Sequence, residues 1–331
     1  MAALPKTNCL AVAIATPITP DCHPDIPRLV GRAKWLMAQG CDGVTLFGTT
    51  GEGPEFSTED RIAALEGLIR GGIDPASIVV SVSALSIPDI VRLSAHALDQ
   101  KVHGLLLMPP CMFRAGIAEE GTFRFYTTVI DRIARADLRL YLYHFPDICG
   151  VPITPQVVRR LDERYCGLIA GVKDSGGDVD FTEGLIRRFS HLSIFTGSEI
   201  HLPQVLSSGA RGTICGLANV MPRLMRAMMD MPTGYDRRAL VPHLTSGDAI
   251  LSRRPFIPSA KAVVAASLDD PSWRRVMPPK CGLPTIEGER MVADFLAWDA
   301  RLPPSWRSLA PSGEASSNVV GLLGARRSPS S

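Results

Sequence analysis

The feature that most constrains the fold is a regular alternation of short apolar runs with longer amphipathic segments. The amphipathic segments have helical periodicity, as at 27–39, 59–70 and 154–164, and the last begins with Thr154-Pro155, a capping residue followed by proline in the first helical position. Eight such alternations predict an α/β protein that folds as a (β/α)8 TIM barrel. The eight apolar runs lie at 9–17, 43–48, 78–83, 103–110, 138–145, 168–174, 193–199 and 212–219.

An open, doubly wound sheet is the other arrangement that alternating strands and helices can adopt. Sheets of that kind that bind dinucleotides carry a G-x-G-x-x-G fingerprint after the first strand. This chain has Ala15-Thr16-Pro17 at that point. We therefore predict the closed barrel, over residues 1–230.

The pattern changes after the eighth apolar run. Apolar-periodic stretches near 236–252, 259–268 and 286–299 predict a C-terminal helical extension over residues 231–302. Pro, Ser, Gly and Arg dominate from 303 to 331, and this composition predicts a mostly disordered tail with one short apolar patch at 319–323.

Composition and charge exclude several classes of function. The chain has 331 residues, a formal net charge of only +2 and no basic run, so we expect no nucleic-acid partner. No apolar stretch reaches about 18 residues and the N-terminus does not look like a signal peptide, so we expect no membrane association and a cytoplasmic location. Eight cysteines without a C-x-x-C pair fit reduced thiols better than disulfides or a zinc site.

Lys173 closes the apolar run at 168–174 and is followed by two glycines, Gly176 and Gly177. Side chains alternate along a strand, so we expect Ile169, Gly171 and Lys173 to share one face, and Asp174 to face the other way. If that face lines a barrel, desolvation favours the neutral amine, which can attack a carbonyl to form a Schiff base. The alternative is a lysine whose ammonium reaches solvent at the end of the strand.

Other strand ends present polar or small residues where a barrel forms its active site. The second run ends in Gly48, Thr49 and Thr50, whose hydroxyl and backbone N–H groups suit a carboxylate, although an ordinary polar turn is the alternative. Tyr143, near the end of the fifth run, can pass a proton to or from a substrate, or can be a core tyrosine. The seventh and eighth runs add three candidate substrate-binding residues: Gly197, Glu199 and Ile214.

Four motifs follow one another along the chain: Val12–Pro17, Gly48–Glu52, Tyr143-x-x-Pro146 and Gly171–Asp174. In this order they resemble the dihydrodipicolinate synthase / N-acetylneuraminate lyase family of class I aldolases, which form a Schiff base and depend on pyruvate. The resemblance spans the chain from about residue 8 to about residue 300 and includes Ile257-Pro258, which precedes Lys261, and Met277-Pro278-Pro279. Each motif is weak alone, and together they are specific.

The resemblance implies roles for these residues. Lys173 would condense with the ketone of pyruvate or another 2-oxo acid, Thr49 and Thr50 would hold its carboxylate, and Tyr143 would relay a proton. It also implies an aldehyde as second substrate, no metal or other cofactor, and a homodimer or homotetramer.

Two departures from the family disfavour 4-hydroxy-tetrahydrodipicolinate synthase activity. Members with that activity carry a Tyr-Tyr pair after the fourth-strand proline, where this chain has Cys111, Met112 and Phe113. They also carry an arginine two residues past the fifth-strand proline, where this chain has Asp147 and then Ile148. Without that arginine, and with Asp147 nearby, a second substrate carboxylate would be repelled.

What remains resembles the aldolase or dehydratase side of the family, which implies 2-keto-3-deoxy sugar acids or related 4-hydroxy-2-oxo acids as substrates. Ser175, Ser198 and Glu199 could bind hydroxyl groups, whereas His144 alternates away from Tyr143 and fits a core histidine. An apolar lip at 111–113 would instead favour an aromatic or short aliphatic aldehyde, as in the hydratase-aldolases of the same family.

Two readings from other classes of protein stay open. A metal-dependent aldolase or hydrolase would need clustered histidines and carboxylates, and the histidines here have no repeated ligand spacing. A non-catalytic barrel that binds keto acids would keep Lys173 and lose turnover.

Overall fold

The structure, a computed structural model, describes residues 4, 7–110, 116–232 and 234–309. Within these ranges eight parallel strands close into a barrel in sequence order, and β1 pairs with β8. The predicted (β/α)8 fold is therefore confirmed. The strands are β1 (Cys9–Ala13), β2 (Gly43–Leu46), β3 (Ile78–Ser81), β4 (Gly104–Leu107), β5 (Leu140–His144), β6 (Ile169–Asp174), β7 (Ser193–Thr196) and β8 (Gly212–Cys215).

Helices cover the outside of the barrel, and side chains cap several of them. The predicted cap is present, since Thr154 Oγ1 accepts a hydrogen bond from Val157 N at 3.3 Å and Pro155 opens the helix. The helices in the described ranges are α1 (Ile26–Ala38), α2 (Thr58–Arg70), α3 (Ile87–Asp99), α4 (Glu119–Ile133), the single turn α5 (Pro146–Cys149), α6 (Pro155–Arg164), α7 (Val179–Arg188), α8 (Leu202–Ser207), α9 (Pro222–Asp230), α10 (Gly234–Leu251), α11 (Phe256–Leu268) and α12 (Thr285–Arg301).

Two apolar clusters divide the core between the inside and the outside of the barrel. Alternate residues of β1 go to different clusters: Ala11 and Ala13 belong to the smaller one, inside the barrel, and Leu10 and Val12 to the larger one beneath the helices. The small side chains of β1 leave room inside the barrel for the aromatic residues of other strands.

The prediction that Ile169 shares a face with Lys173 is wrong. Ile169 packs in the outer cluster, while Ala170 contacts the inner one. The cause is a register irregularity between β5 and β6, where Leu140 pairs with Ile169 but Tyr141 pairs with Gly171. The extra residue in β6 shifts the alternation of inward and outward side chains. The alternation predicts the facing of each residue correctly only in the second half of the strand.

Asn219 closes the barrel on its C-terminal side. Its Oδ1 accepts from Ala15 N at 2.9 Å and its Nδ2 donates to Ala13 O at 2.8 Å. Asn219 is buried, and it joins the chain after β8 to the chain after β1.

The three helices α10, α11 and α12 form the predicted C-terminal extension. Gly247 of α10 lies so close to Trp298 of α12 that a Cβ atom there would be 2.6 Å from the indole ring. Helix α9 ends at Asp230, and α10 begins at Gly234. Within the ranges that the structure describes, no helix is both long and apolar enough to cross a membrane.

The chain after α12 differs in part from the predicted disordered tail. Backbone N–H groups of Ser308 and Leu309 both donate to the carboxylate of Asp299 at 3.1 Å, and Leu309 is buried. Residues 303–309 therefore pack on the extension. The rest of the predicted tail, with the apolar patch at 319–323, lies outside the described residues.

Candidate active site

A cavity of about 600 Å3 opens at the C-terminal ends of the strands. Parallel strands of a barrel end on one side, and the loops that follow them meet there. Seven of the eight strands end before the apolar runs that predicted them, because the last residues of those runs turn into these loops, whereas β6 ends with its run at Asp174. Seven predicted site residues line the cavity together: Thr49, Thr50, Tyr143, Lys173, Gly197, Glu199 and Ile214.

Gly48 is the predicted site residue that does not line the cavity. Its carbonyl oxygen accepts from Gly53 N at 3.3 Å, and the carbonyl of Thr49 accepts from Glu52 N at 3.1 Å. Gly48 thus closes the base of a tight turn, residues 48–53, whose tip presents Thr49 and Thr50 to the cavity. We call this segment the 48–53 turn.

Lys173 lies deep in the cavity and its residue is only 4% exposed. Its neighbours across the sheet are Tyr143 on β5 and Phe195 on β7. The Nζ atom is 4.2 Å from the centroid of the Tyr143 ring. The alternative of a side chain that extends into solvent is therefore wrong, and the amine faces the cavity over an aromatic ring.

Asp174 faces away from Lys173, as alternation predicts. Its carboxylate accepts from Thr182 Oγ1 at 2.5 Å and from Gly176 N at 2.9 Å. The residue is buried, so these bonds hold the loop after β6 against α7. Asp174 has a structural role.

The hydroxyl of Tyr143 connects the strand ends of β5 and β2. It lies 3.2 Å from Thr49 Oγ1, and either oxygen can be the donor. Tyr143 is buried and its ring is 5.9 Å from that of Phe145. The amine of Lys173, the phenol of Tyr143 and the hydroxyl of Thr49 thus follow one another along the cavity wall.

Glu199 is the acidic group of the cavity nearest the strand ends. Its Oε1 atom accepts from Leu217 N at 3.2 Å. Burial raises the pKa of the Glu199 carboxyl above its usual range, and the hydrogen bond from Leu217 N opposes this shift. A carboxyl group of this kind can hold a proton at a pH where an exposed one has lost it.

His144 is a core histidine. Its ring stacks on Phe181 with centroids 4.5 Å apart, and its Nδ1 accepts from Ile153 N at 3.0 Å. Burial lowers its pKa, and the Asp174 carboxylate opposes the effect. Of the serines proposed as rim groups, Ser175 lines the cavity and Ser198 does not.

Asp147 does not stand where the sequence suggested. It is exposed and does not line the cavity, whereas the next residue, Ile148, does. The single turn α5 directs the two side chains to opposite sides. The cavity wall at this point is therefore the apolar side chain of Ile148. The repulsion that we expected between Asp147 and a second substrate carboxylate does not arise there.

Sequence reasoning missed the part of the cavity wall that comes from the extension. Phe256 at the start of α11, Asp248 of α10, and the pair Lys280 and Cys281 line the outer half. They follow no strand and belong to no catalytic motif, so only the Ile257-Pro258 and Met277-Pro278-Pro279 steps pointed toward this region. The proposed lip at 111–113 lies outside the described residues.

Cysteines and potential metal ligands are dispersed. Six cysteines of the described ranges are free thiols: Cys9, Cys22, Cys41, Cys166, Cys215 and Cys281. Within those ranges, His, Cys, Asp and Glu side chains form no group of three that could hold a metal ion.

Comparisons with known proteins agree with the motifs. The model of the Dihydrodipicolinate synthetase family matches residues 6–241. An uncharacterized DapA-like lyase of Chloroflexus aurantiacus is 33% identical over 80% of this chain and 89% of that protein. The crystal structure of dihydrodipicolinate synthase from Agrobacterium tumefaciens superposes with a TM-score of 0.81 at 31% identity, covering 88% of this chain and 99% of the other.

A more distant relative is named as an aldolase. The 2-dehydro-3-deoxy-phosphogluconate/2-dehydro-3-deoxy-6-phosphogalactonate aldolase of Sulfurisphaera tokodaii is 26% identical over 72% of this chain and 74% of that protein. The family model matches more than half of the chain, and together with these similarities it shows to which family the chain belongs. The chain belongs to the dihydrodipicolinate synthetase family and is a lyase of the class I aldolase type.

Proposed function

We propose that the chain uses Lys173 to form a Schiff base with pyruvate and acts on 2-keto-3-deoxy sugar acids or related 4-hydroxy-2-oxo acids. The observation that carries the proposal is the buried Lys173 amine, 4.2 Å from the ring of Tyr143, in a cavity that Thr49 and Thr50 also line. An amine, a phenol and two hydroxyls suit a keto acid, which offers one ketone carbon and one carboxylate.

The first half of the reaction needs only these groups. The neutral amine of Lys173 attacks C2 of pyruvate, and loss of water leaves a protonated imine. The imine withdraws electrons from C3, so a C3 proton can leave and an enamine forms. Thr49 and Thr50 hold the carboxylate, which fixes the orientation of C3 while Tyr143 carries the proton.

The second half makes or breaks the bond to the aldehyde. The enamine C3 attacks the aldehyde carbon, whose oxygen takes up a proton and becomes the 4-hydroxyl, and water then releases the product from Lys173. Cleavage is the reverse of these steps. Loss of the 4-hydroxyl from the enamine instead of C–C cleavage would give the dehydratase outcome.

The residue Ile148 argues against 4-hydroxy-tetrahydrodipicolinate synthase activity. It lines the cavity at the sequence position where the synthases carry an arginine for the second carboxylate. An isoleucine cannot donate a hydrogen bond to a carboxylate, so a dicarboxylic product would lack its partner there.

Two carboxylates support a hydroxylated substrate. Glu199 and Asp248 both line the cavity beyond Lys173. Carboxylate oxygens accept hydrogen bonds from hydroxyl groups, and a sugar acid supplies several hydroxyls on the carbons after C3.

The apolar outer wall supports a second candidate, a hydratase-aldolase for an aromatic aldehyde. Phe145, Ile148, Phe256 and Ile257 line the cavity, and an aromatic ring packs well against such side chains. A panel that contains both 2-keto-3-deoxy sugar acids and aromatic aldehydes with pyruvate would decide between the two.

The test of the proposed function is trapping of the imine. Borohydride reduction in the presence of pyruvate should add the pyruvate-derived mass to Lys173, located by peptide mapping, and Lys173→Ala should lose both the adduct and turnover. Full activity of Lys173→Ala would refute the mechanism. An adduct without turnover of any substrate in the panel would favour the non-catalytic keto-acid-binding barrel. Assembly as a homodimer or homotetramer stays a prediction.

A further inference from the structure

A buried ion pair that the proposed chemistry does not use joins the extension to the barrel. Lys261 of α11 is 0% exposed and Glu52 is 1% exposed. The Lys261 Nζ atom donates to Glu52 Oε2 and to Arg275 O, the latter at 2.9 Å, and Met277 N donates to Glu52 Oε1 at 2.8 Å. Burial of each charge costs several kcal/mol, so an apolar pair of the same size would serve packing alone at least as well.

Glu52 belongs to the 48–53 turn, next to the two threonines of the cavity. Its backbone is left-handed, with φ of 55°, a conformation that costs about 1–2 kcal/mol for a residue other than glycine. The turn has little room to move inward, since a Cβ atom on Gly51 would lie 2.8 Å from Ile14 O. The side chain of Glu52 therefore secures an unfavourable backbone conformation two residues from Thr50.

The same part of the extension also contacts the turn from the cavity side. A Cβ atom on Gly216 would lie 2.7 Å from the ring of Phe256 and 3.2 Å from Thr50 Oγ1, so these side chains meet around Gly216. Lys280, which lines the cavity, is paired with Glu55 and lies 3.7 Å from Glu52 Oε1. The 48–53 turn is thus held between α11 and the chain that follows it.

We propose that Lys261 is a positioning residue, which through Glu52 holds the 48–53 turn so that the hydroxyls of Thr49 and Thr50 meet the carboxylate of the keto acid. The C-terminal extension then sets the affinity for the keto acid through a residue that never touches it. This inference rests on the proposed role of the two threonines. A pair that serves only folding would change the stability and leave the affinity unaltered.

The test compares Lys261→Met with the double variant Lys261→Met/Glu52→Gln. Lys261→Met removes the buried cation and leaves the Glu52 carboxylate with only Met277 N and the more distant Lys280, so it can fold poorly. The double variant removes both charges and keeps an oxygen at position 52 for Met277 N. The matched control is Arg28→Met, which removes an exposed ion pair between α1 and Asp270 and so also loosens the extension from the barrel.

The measurement is the fraction of Lys173 trapped by borohydride as pyruvate is titrated, at a temperature well below the unfolding midpoint of each variant. We expect the half-saturating pyruvate concentration to rise at least tenfold in the double variant and in Lys261→Met where it folds. Trapping should still reach the wild-type level at high pyruvate, and Arg28→Met should stay within twofold of wild type.

Half-saturation within twofold of wild type in the folded double variant would overturn the inference. An equal rise in Arg28→Met would also overturn it, because any loosening of the extension would then suffice. Absence of a Lys173 adduct in the wild-type protein would refute the proposed function itself, and the inference with it, before any variant is compared.

Discussion

Tyr143 makes two contacts, one through its ring and one through its hydroxyl, and the two serve different purposes. Its ring lies beneath the Lys173 amine, and its hydroxyl is 3.2 Å from Thr49 Oγ1. The ring shapes the environment of the Lys173 amine, whereas only the hydroxyl can carry a proton. A substitution that removes one contact and keeps the other separates these functions.

We predict that Tyr143→Phe forms the pyruvate imine but turns over about a hundredfold to ten-thousandfold more slowly. The ring under the amine remains, while positioned acid–base help of that size is lost. The measurements are kcat with a substrate found in the panel and the yield of the borohydride adduct.

Tyr141→Phe is the matched control. Tyr141 faces the same barrel interior, but its hydroxyl lies 3.1 Å from His103 Nε2 and it does not line the cavity. Turnover of this variant should stay near that of wild type. Equal losses of turnover in the two variants would show that Tyr143 contributes packing rather than proton transfer.

Single residues were predictable where a polar side chain interrupts an apolar strand end. Lys173, Tyr143, Thr49 and Thr50 all reach the cavity, because strand direction alone fixes which end of the barrel they occupy. The sequence could not show that Gly48, unlike these residues, does not reach the cavity. It does not tell which residues of a tight turn form its base and which form its tip.

The ends of β6 and β7 pack closely at the point where the amine emerges. A Cβ atom on Gly197 would lie 2.1 Å from Ser175 Oγ and 3.3 Å from Lys173 Cε. Gly197 N also donates to Asp174 O at 2.6 Å. The absence of a side chain at 197 is therefore a condition for the observed position of Lys173.

We predict that Gly197→Ala folds and forms the imine about tenfold more slowly. Ser175 can rotate away, but Lys173 must shift by a few tenths of an ångström, and a misplacement of 1 Å costs about a hundredfold in rate. The rate of adduct formation under excess borohydride measures the effect.

Gly184→Ala adds the same methyl group where it meets no other atom within 4 Å, on α7. Its rate of imine formation should equal that of wild type, and alanine in a helix should not destabilise it. A comparable slowing in Gly184→Ala would mean that the Gly197 effect is not local.

The type and order of the elements were predictable because apolar periodicity reports which faces are buried. The residues of β6 that face the barrel interior were harder to predict. A one-residue irregularity against β5 moves Ile169 to the outer side, and nothing in the run Leu168–Lys173 distinguishes a regular strand from one with an extra residue.

At the scale of the whole molecule, contacts between distant parts of the chain complete the site. Phe256 and Thr50 approach each other around Gly216, although they are far apart in sequence. Periodicity identifies α11 as a helix but does not say which barrel loop it covers. The outer cavity wall and the Lys261–Glu52 pair could therefore not be predicted from one sequence.

Stability should fall as the pH decreases from about 6.5 toward 4. Burial, with smaller effects of Arg139 and Arg211, lowers the pKa of His103 from 6.5 to about 4. Below pH 6.5 the unfolded chain takes up a proton that the folded chain binds only near pH 4, so acid favours unfolding by up to about 3 kcal/mol at this residue. Urea unfolding at pH 7 and pH 4.5 measures the change.

His103→Gln should reduce this loss, because an amide does not titrate and can still bond to the Tyr141 hydroxyl. His191→Gln is the control, since His191 is exposed and its side chain pairs with Asp162 at the surface. If lowering the pH destabilises both variants equally, groups other than His103 cause the loss of stability in acid.

The origin of the cavity wall has a consequence for protein engineering. Lys173 and Tyr143 come from strand ends, whereas Asp248, Phe256 and Cys281 come from the extension. A combinatorial library restricted to these three positions would vary the outer wall of the cavity, where we propose that the aldehyde binds, and leave the strand-end residues unchanged. Such a library samples new aldehyde acceptors on an unchanged nucleophile, provided that Lys261 is retained in every clone.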